Sequence, residues 1–411
     1  MYDLAIIGSG PAGIACAKNA LKYKLKTVII EKNPETLGGT CLNQGCIPTK
    51  FLLKASRTNQ SWKNCLEGSR EIIKKIKSPL TSFLEKQGVN FFWGEASFLN
   101  NTTLRVDEKV VAAKYIVIAG GSSPKSLINH SKVIFAQDLF GVEELPDKIL
   151  VVGAGAIGIE FSCLLHNFNK DVLLIEKENR VLPGFDSYLS QRLQTILRKR
   201  GLNIKTSQDV AEYNLDDFNL VISALGRKPN ANNLQLKNAD ILLNDKGWIN
   251  TDKFMKTNIS NIYACGDING KKLYAYTAEY QAEICLKNIA GQIDKEDYYG
   301  LPECVFSCPQ IAQAGILEEE AEAKGIECKV IKSSFLKVSS AVVYGDNDGF
   351  IKLIVDEQER IIGAGIISES AGELINVMSL CIKNKLTLQD VKKCLFIHPT
   401  LTEIISNLAR A

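Results

Sequence analysis

The sequence predicts an α/β fold with two parallel-sheet domains and, after them, a smaller α+β domain. Three observations carry that expectation. The continuous apolar run Leu4-Ala5-Ile6-Ile7 meets Gly8-Ser9-Gly10-Pro11-Ala12-Gly13, and a helix from Ala12 to about Lys22 leads into Thr27-Val28-Ile29-Ile30 and Glu31. The unit then recurs. Ile149–Val152 runs into Gly153-Ala154-Gly155-Ala156-Ile157-Gly158, a helix over Ile157–Asn167 follows, and the strand Val172–Ile175 closes at Glu176. The interval from Gly8 to Glu31 equals that from Gly153 to Glu176, and chance glycines do not reproduce both spacing and flanks. Finally, no such turn follows Leu301, where short strands and then helices take over. A buried strand ending in a glycine-rich turn that opens a helix is the Rossmann-like dinucleotide fingerprint in its required setting.

Length and composition agree with this division. The chain has 411 residues, enough for two or three domains, and 45% are apolar, enough for each to bury a core. A net charge of +3 without a Lys/Arg block is too small to imply a nucleic-acid partner, and none is expected. The apolar run Ile149–Leu165 nearly reaches membrane-span length, but its glycines and Glu160 fit a strand, a turn and a buried helix, so no membrane partner is expected. The chain opens directly on a strand with no basic or amphipathic leader, which predicts a cytoplasmic protein. Twelve cysteines are scattered. Cys304 and Cys308 have no second half for a zinc site, so they read as packing and no metal is expected.

The first fingerprint would place Gly8, Gly10, Pro11, Ala12 and Gly13 against a pyrophosphate at a helix N-terminus, with Glu31 and Lys32 at the end of the next strand. The second would place Gly153, Gly155, Ile157 and Gly158 likewise. Glu176 there favours NAD over NADP, because a 2′-phosphate would meet a carboxylate. Two such units imply two nucleotide cofactors, and with a nearby thiol pair the natural combination is FAD and NAD.

Between the fingerprints, residues 51–115 read as amphipathic helix with lysine-rich, solvated faces, then strands around Val89–Phe92 and Thr103–Val110. Tyr115–Ala119 is a strand ending at Gly120-Gly121-Ser122. Ile262–Cys265 is a strand ending at Gly266-Asp267, and a helix runs from near Tyr276 to Ala290. In the last third, strands are expected at Cys304–Ser307, Gln313–Leu317, Cys328–Phe335, Gly349–Val355 and Ile361–Ile367. Helices are expected at Ala371–Lys383 and Thr387–Lys393.

The stretch Gly38–Lys50, GGTCLNQGCIPTK, holds the chemistry. Cys41 and Cys46 would stand roughly 7.5 Å apart along a regular helix. A disulfide needs Cα atoms within roughly 7 Å. The pair can close only if the helix breaks between them, and Gly45 permits a bend. Taken alone, two neighbouring cysteines read equally well as a redox pair or as buried packing. Only three histidines exist, His130, His166 and His398. His130 lies in a polar loop and His166 on the helix after the second fingerprint, at its surface. His398 precedes a proline and has Glu403 five residues on. A thiol with an ordinary pKa near about 8.5 needs a base poised near neutrality, and a carboxylate on the other ring nitrogen fixes its tautomer.

Together, GSGPAG, GGTCLNQGCIPTK, GAGAIGIE, ALGRKPN (Ala224–Asn230), IYACGD (Ile262–Asp267) and HPTLTE (His398–Glu403) resemble the pyridine nucleotide–disulfide oxidoreductases of the two-cysteine type. Within that family the chain is most similar to the dihydrolipoamide dehydrogenases. The blocks follow the family's order and span essentially the whole chain. The chain departs from the family at Gly120, where a threonine is usual, and at Tyr276, where a histidine is usual. It is also shorter, with the losses expected between Cys46 and Gly153 and within the second domain.

The resemblance implies an FAD domain over residues 1–143 and 260–298, an NAD domain over 144–259, and a dimerisation domain over 299–411. It implies a Cys41–Cys46 redox disulfide with Cys41 outermost, and Lys50 paired with Glu160 near the flavin. Gly39, Thr40, Lys50, Gly120 and Asp267 would contact FAD, and Gly226 would contact NAD. The helix near Tyr276 would turn its N-terminus to the flavin. His398, oriented by Glu403, would serve as base to the partner subunit's thiols, so only a homodimer would be active. The implied activity is oxidation of dihydrolipoamide to lipoamide, with electrons passing through the cysteines and FAD to NAD⁺. A lipoyl-bearing protein or a small dithiol would be the substrate, within a 2-oxoacid dehydrogenase or glycine cleavage complex. Two alternatives stand beside it: reduction of another small, glutathione-like disulfide, and a non-catalytic flavin-bearing regulatory component.

Overall fold

Apolar, β-branched runs flanked by glycine set the strands, and the computed structural model, which describes residues 1–410, places them as follows. The first part of the chain runs β1 (Tyr2–Ile7), α1 (Pro11–Lys22), β2 (Thr27–Glu31), α2 (Gly39–Gln44), α3 (Cys46–Ala55) and α4 (Trp62–Lys86). Next come β3 (Asn90–Trp93), β4 (Ala96–Asn100), β5 (Thr103–Val106), β6 (Lys109–Ile118), β7 (Ser122–Pro124) and β8 (Val133–Phe135). The second fingerprint supplies β9 (Lys148–Val152), α5 (Ala156–Asn167) and β10 (Asp171–Ile175), followed by α6 (Ser187–Lys199), β11 (Asn203–Lys205) and β12 (Leu220–Ser223). Then come β13 (Arg227–Pro229), β14 (Ile262–Ala264) and α7 (Ala275–Ile289). The last third holds β15 (Pro302–Val305), β16 (Gln310–Gly315), α8 (Glu318–Ala323), β17 (Cys328–Ser334), α9 (Ser339–Tyr344), β18 (Phe350–Asp356) and β19 (Ile361–Ser368). It closes with α10 (Ala371–Lys383), α11 (Leu388–Lys392) and α12 (Glu403–Arg410).

The chain divides into two compact units. The first comprises residues 1–127, 137–143 and 225–297. Its sheet runs β3-β2-β1-β6-β5-β4, with β14 also on β6. The β1, β2, β3, β6 and β14 pairings are parallel, while β4 pairs antiparallel with β5 and β5 antiparallel with β6. One face of the sheet carries α1 and α7, whose inward residues Cys16, Ala17, Ala20, Ala278, Ala282 and Cys285 pack on Leu4, Ile6, Ile29 and Val117.

The second unit comprises residues 128–136, 144–224 and 298–411. It contains a five-stranded parallel sheet, β11-β10-β9-β12-β8, and a five-stranded antiparallel sheet, β15-β16-β19-β18-β17. Helix α10 and the C-terminal helix α12 contribute Leu374, Ile375, Met378, Ile404, Ile405 and Leu408 to the antiparallel sheet's core.

Several elements differ from the sequence reading. The stretch expected as one strand over Thr103–Val110 is the hairpin β5–β6, because Asp107 turns the chain with φ +51°. No glycine or proline marks that turn, and β4 is its unforeseen partner. Strand β15 stops at Val305 instead of Ser307, because Ser307 folds into a turn and its hydroxyl donates to the Pro309 carbonyl at 2.6 Å. The short helices α8 and α9 were also not expected. No described helix is long and apolar enough to cross a membrane, and the apolar run at Ile149–Leu165 divides into β9, the glycine turn and α5.

A buried cation joins the two sheets' helices and strands within the second unit. Lys352 on β18 is 2% exposed and pairs with Asp186, the N-cap of α6, and with Glu318. Burial pulls the Lys352 ammonium down, but the bonds to Asp186 and Glu318 more than offset this and hold it above its ordinary value. Removing the cation leaves two carboxylates without it, and breaking a buried pair costs about 3–5 kcal/mol. Lys352→Met is expected to lower unfolding stability by about 3 kcal/mol in denaturant titration. A change below about 0.5 kcal/mol would contradict this account of the junction.

Candidate active site

The two fingerprints fold alike because the same close contacts demand glycine. A Cβ on Gly13 would lie 1.9 Å from the Gly8 carbonyl oxygen, and one on Gly158 would lie 1.8 Å from that of Gly153. Gly8 and Gly153 sit at φ +99° and +98°. The middle glycines are different. A Cβ on Gly10 would meet only the Gly39 Cα, at 3.9 Å, and one on Gly155 would meet nothing within 4 Å. Helices α1 and α5 begin at these residues without side-chain caps. Each fingerprint therefore presents an open backbone face at an uncapped helix N-terminus, which fits a pyrophosphate.

The acids at the strand ends tie back to these turns. Glu31 accepts from the Ser9 N–H at 3.0 Å and its hydroxyl at 2.7 Å, and Glu176 accepts from the Ala154 N–H at 2.6 Å. Lys32 is exposed just beyond Glu31. Pro11 and Ala12 open α1, and Ile157 lies in the first turn of α5.

The first unit brings the thiols to the first cradle. Gly39, at the start of α2, packs on Gly10, where a Cβ would come within 2.7 Å of the Gly10 Cα. The Gly38 N–H donates to the Ser9 carbonyl at 2.9 Å. Thr40 and Cys41 follow on α2, the helix breaks at Gly45, and Cys46 opens α3. The expected interruption is thus present. Cys41 and Cys46 share a hydrogen bond, and all twelve cysteines are thiols in this structure. That bond, then burial, push the Cys41 thiol up. Cys46 is exposed at the N-terminus of its helix, where the helix dipole favours a thiolate. Lys50 lies one turn further along α3.

Asp267 and Gly120 complete this region. A Cβ on Gly266 would meet Ala12 and Ala278 at 3.1 and 3.3 Å, so Asp267 is held between the starts of α1 and α7. Gly120 ends next to Gly8. A Cβ there would meet only the Asn230 carbonyl oxygen, at 3.6 Å, so crowding does not explain the missing threonine. Tyr276 is exposed and stacks on Tyr274 with ring centroids 5.3 Å apart.

Three residues here escaped the sequence reading. Arg227, beside Gly226, is 17% exposed. It donates to the Ser122 hydroxyl and carbonyl at 2.6 Å each and lies 3.7 Å from Asp267. Ser122 in turn donates to Asp267 at 2.5 Å. Burial pulls the guanidinium down, against the Asp267 carboxylate and the Cys46 sulfur, which lies within electrostatic reach. Glu279 on α7 is within reach of Cys41. Arg227 stands in the ALGRKPN block, but only the β7–β13 pairing reveals its neighbours.

In the second unit, His398 Nδ1 and Glu403 Oε1 are 2.9 Å apart. The other Glu403 oxygen accepts from the Thr400 N–H at 2.9 Å. These two bonds, the backbone one first, hold the Glu403 carboxyl below its ordinary value. The ring of His398 is 71% exposed. Glu160, on α5, accepts from the Phe306 N–H at 3.0 Å. The other histidines do structural work: His166 bonds the Arg200 carbonyl at 3.1 Å, and His130 lies 3.5 Å from Asp216. No described cluster is built for a metal ion.

Residues 2–282 match the family described as pyridine nucleotide-disulphide oxidoreductase, and residues 301–409 match its dimerisation domain. The chain belongs to this family. Its members use FAD and NAD(H). Among curated relatives, the dihydrolipoyl dehydrogenase of Chlamydia pneumoniae is 31% identical, covering 98% of this chain and 95% of that protein. That of Bacillus subtilis is also 31% identical, covering 99% and 95%. Among solved structures, the HOCl-induced flavoprotein disulfide reductase RclA from Escherichia coli superposes with a TM-score of 0.94 at 26% identity, covering 100% of this chain and 99% of that one.

The Arg227 network yields a prediction. Arg227→Met removes a positive charge near Cys46, and a nearby cation favours the thiolate. Below neutrality, alkylation of Cys46 by iodoacetamide is expected to slow. An unchanged pH–rate profile would contradict this role for Arg227.

Proposed function

We propose that this oxidoreductase converts dihydrolipoamide to lipoamide with NAD⁺, using Cys41, Cys46, His398 and Glu403. The observation that carries the reading is the broken helix that sets two sulfurs in hydrogen-bond contact beside a dinucleotide cradle. The curated relatives named dihydrolipoyl dehydrogenase support the substrate. Residues 1–143 and 260–298 would form the FAD domain, 144–259 the NAD domain and 299–411 the interface domain, with the stretch 225–259 packing in the first unit and not on the second unit's parallel sheet. Gly8–Gly13, Glu31, Lys32, Gly39, Thr40, Lys50, Gly120 and Asp267 would hold FAD. Gly153–Gly158, Glu176 and Gly226 would hold NAD, the Glu176 carboxylate disfavouring a 2′-phosphate.

With Nδ1–H donated to Glu403, His398 keeps Nε2 free to take a proton from the substrate dithiol. The substrate thiolate attacks the Cys41 sulfur of the oxidised pair, the Cys41–Cys46 bond breaks, and Cys46 leaves as a thiolate. The second substrate thiol then attacks the substrate sulfur of the mixed disulfide. The cyclic product leaves, and Cys41 takes up the proton. Lys50, one turn along α3, would keep positive charge near Cys46. Bound FAD and NAD⁺ supply the hydride chemistry that restores the disulfide. The exposed His398 ring suits a base offered to a second subunit, so the active form would be a homodimer.

A second reading, reduction of another small disulfide, is favoured by the likeness to RclA. Steady-state assays separate the two. NAD⁺ with dihydrolipoamide is expected to turn over, and NADPH with glutathione disulfide is not. Cys41→Ser is expected to abolish the dihydrolipoamide reaction, and His398→Ala to slow it by about 10²–10⁴-fold. Full dithiol-dependent NADH production by either variant would refute the assignment.

A further inference from the structure

The second unit holds a pair of thiols that the chemistry above does not use. Cys163 lies on α5 and Cys308 in the β15–β16 turn, and the two share a hydrogen bond. Asn167 donates its side-chain N–H to the Cys308 sulfur at 3.8 Å. Glu160, Cys163 and Asn167 stand at the spacing that lines one helix face, and all three meet the same turn, Glu160 through the Phe306 N–H. Cys163 is 3% exposed and Cys308 9%, so both are buried and Cys308 is the more accessible residue of the two. Cys304, on the same hairpin, faces elsewhere: its sulfur would lie 3.2 Å from a Cβ on Gly372.

We propose that Cys163 and Cys308 are a second dithiol–disulfide pair, closed by oxidants of the peroxide class, which fastens the nucleotide helix α5 to the interface sheet. Cys308 reacts first because it is the more accessible residue of the pair. The bond to Cys308, and then burial, push the Cys163 thiol up, so Cys163 keeps its proton until the second step. The Cys308 thiolate attacks a peroxide oxygen, an S–O bond forms, the O–O bond breaks, and the leaving hydroxide takes a proton to become water. The Cys163 sulfur then attacks the Cys308 sulfur. The S–S bond forms, the S–O bond breaks, and the Cys163 proton leaves with hydroxide as a second water. The two thiols lose two electrons and the peroxide gains both. The bond would tie down α5 midway between Glu160 and Asn167, on the helix that opens at the second cradle.

Mass spectrometry of the intact protein tests this. The purified protein is treated with hydrogen peroxide, alkylated in denaturant and digested without reductant. The expected result is a cross-linked peptide joining Cys163 to Cys308, distinct in mass from any Cys41–Cys46 peptide. It should be lost on dithiothreitol treatment and absent in Cys163→Ser and Cys308→Ser. Should either variant fail to fold, the wild-type protein with and without reductant decides the question alone. Full alkylation of both residues after peroxide, a Cys304–Cys308 bond, or Cys308 sulfinic acid beside an alkylated Cys163 would each overturn the proposal.

Discussion

The approach of Gly45 to the preceding turn is the constraint on which the thiol chemistry depends. A Cβ at this position would lie 2.9 Å from the Thr40 carbonyl oxygen and 3.3 Å from the Cys41 Cα. Only a residue without a side chain lets the chain leave α2 and restart as α3 so abruptly. That restart has three consequences. It brings the two sulfurs into contact, where a continuous helix would hold them roughly 7.5 Å apart along its axis. It makes Cys46 the first residue of a helix, where the dipole stabilises a negative sulfur. It also sets Lys50 one turn away on that helix.

The nucleotide turns anchor this arrangement. Gly39 packs on Gly10, and Gly38 is hydrogen-bonded to Ser9, so the thiol helix is built onto the first fingerprint. Asp267 reaches the same region because Gly266 is squeezed between α1 and α7. Ser122 and Arg227 then brace Asp267 from the β7–β13 ribbon. The carboxylate, the guanidinium and the Cys46 sulfur form one electrostatic group assembled from three distant stretches of chain.

Much of this was legible in the residues. Backbone crowding at Gly8, Gly13 and Gly158, and the positive φ of Gly153, disfavour any side chain, so the fingerprint must appear in the sequence. The Gly45 break and the close His398–Glu403 pair are local, and local spacing betrays them. Other features were not legible, for physical reasons. Asp107 turns the β5–β6 hairpin in a left-handed conformation without glycine, leaving no signal. Arg227 and Ser122 meet through tertiary pairing alone. Cys308 reads as packing beside Cys304, and Cys163 is one of many scattered cysteines, until the fold seats α5 on the β15–β16 turn.

The central claim is that Cys41 and Cys46 cycle as a disulfide in electronic contact with the cofactor. Anaerobic reductive titration of the FAD-loaded protein tests it most directly. The account predicts that the protein takes up twice as many electrons as its flavin alone accepts, with the extra uptake lost in Cys46→Ser. Uptake matching the flavin alone in the unaltered protein would contradict it.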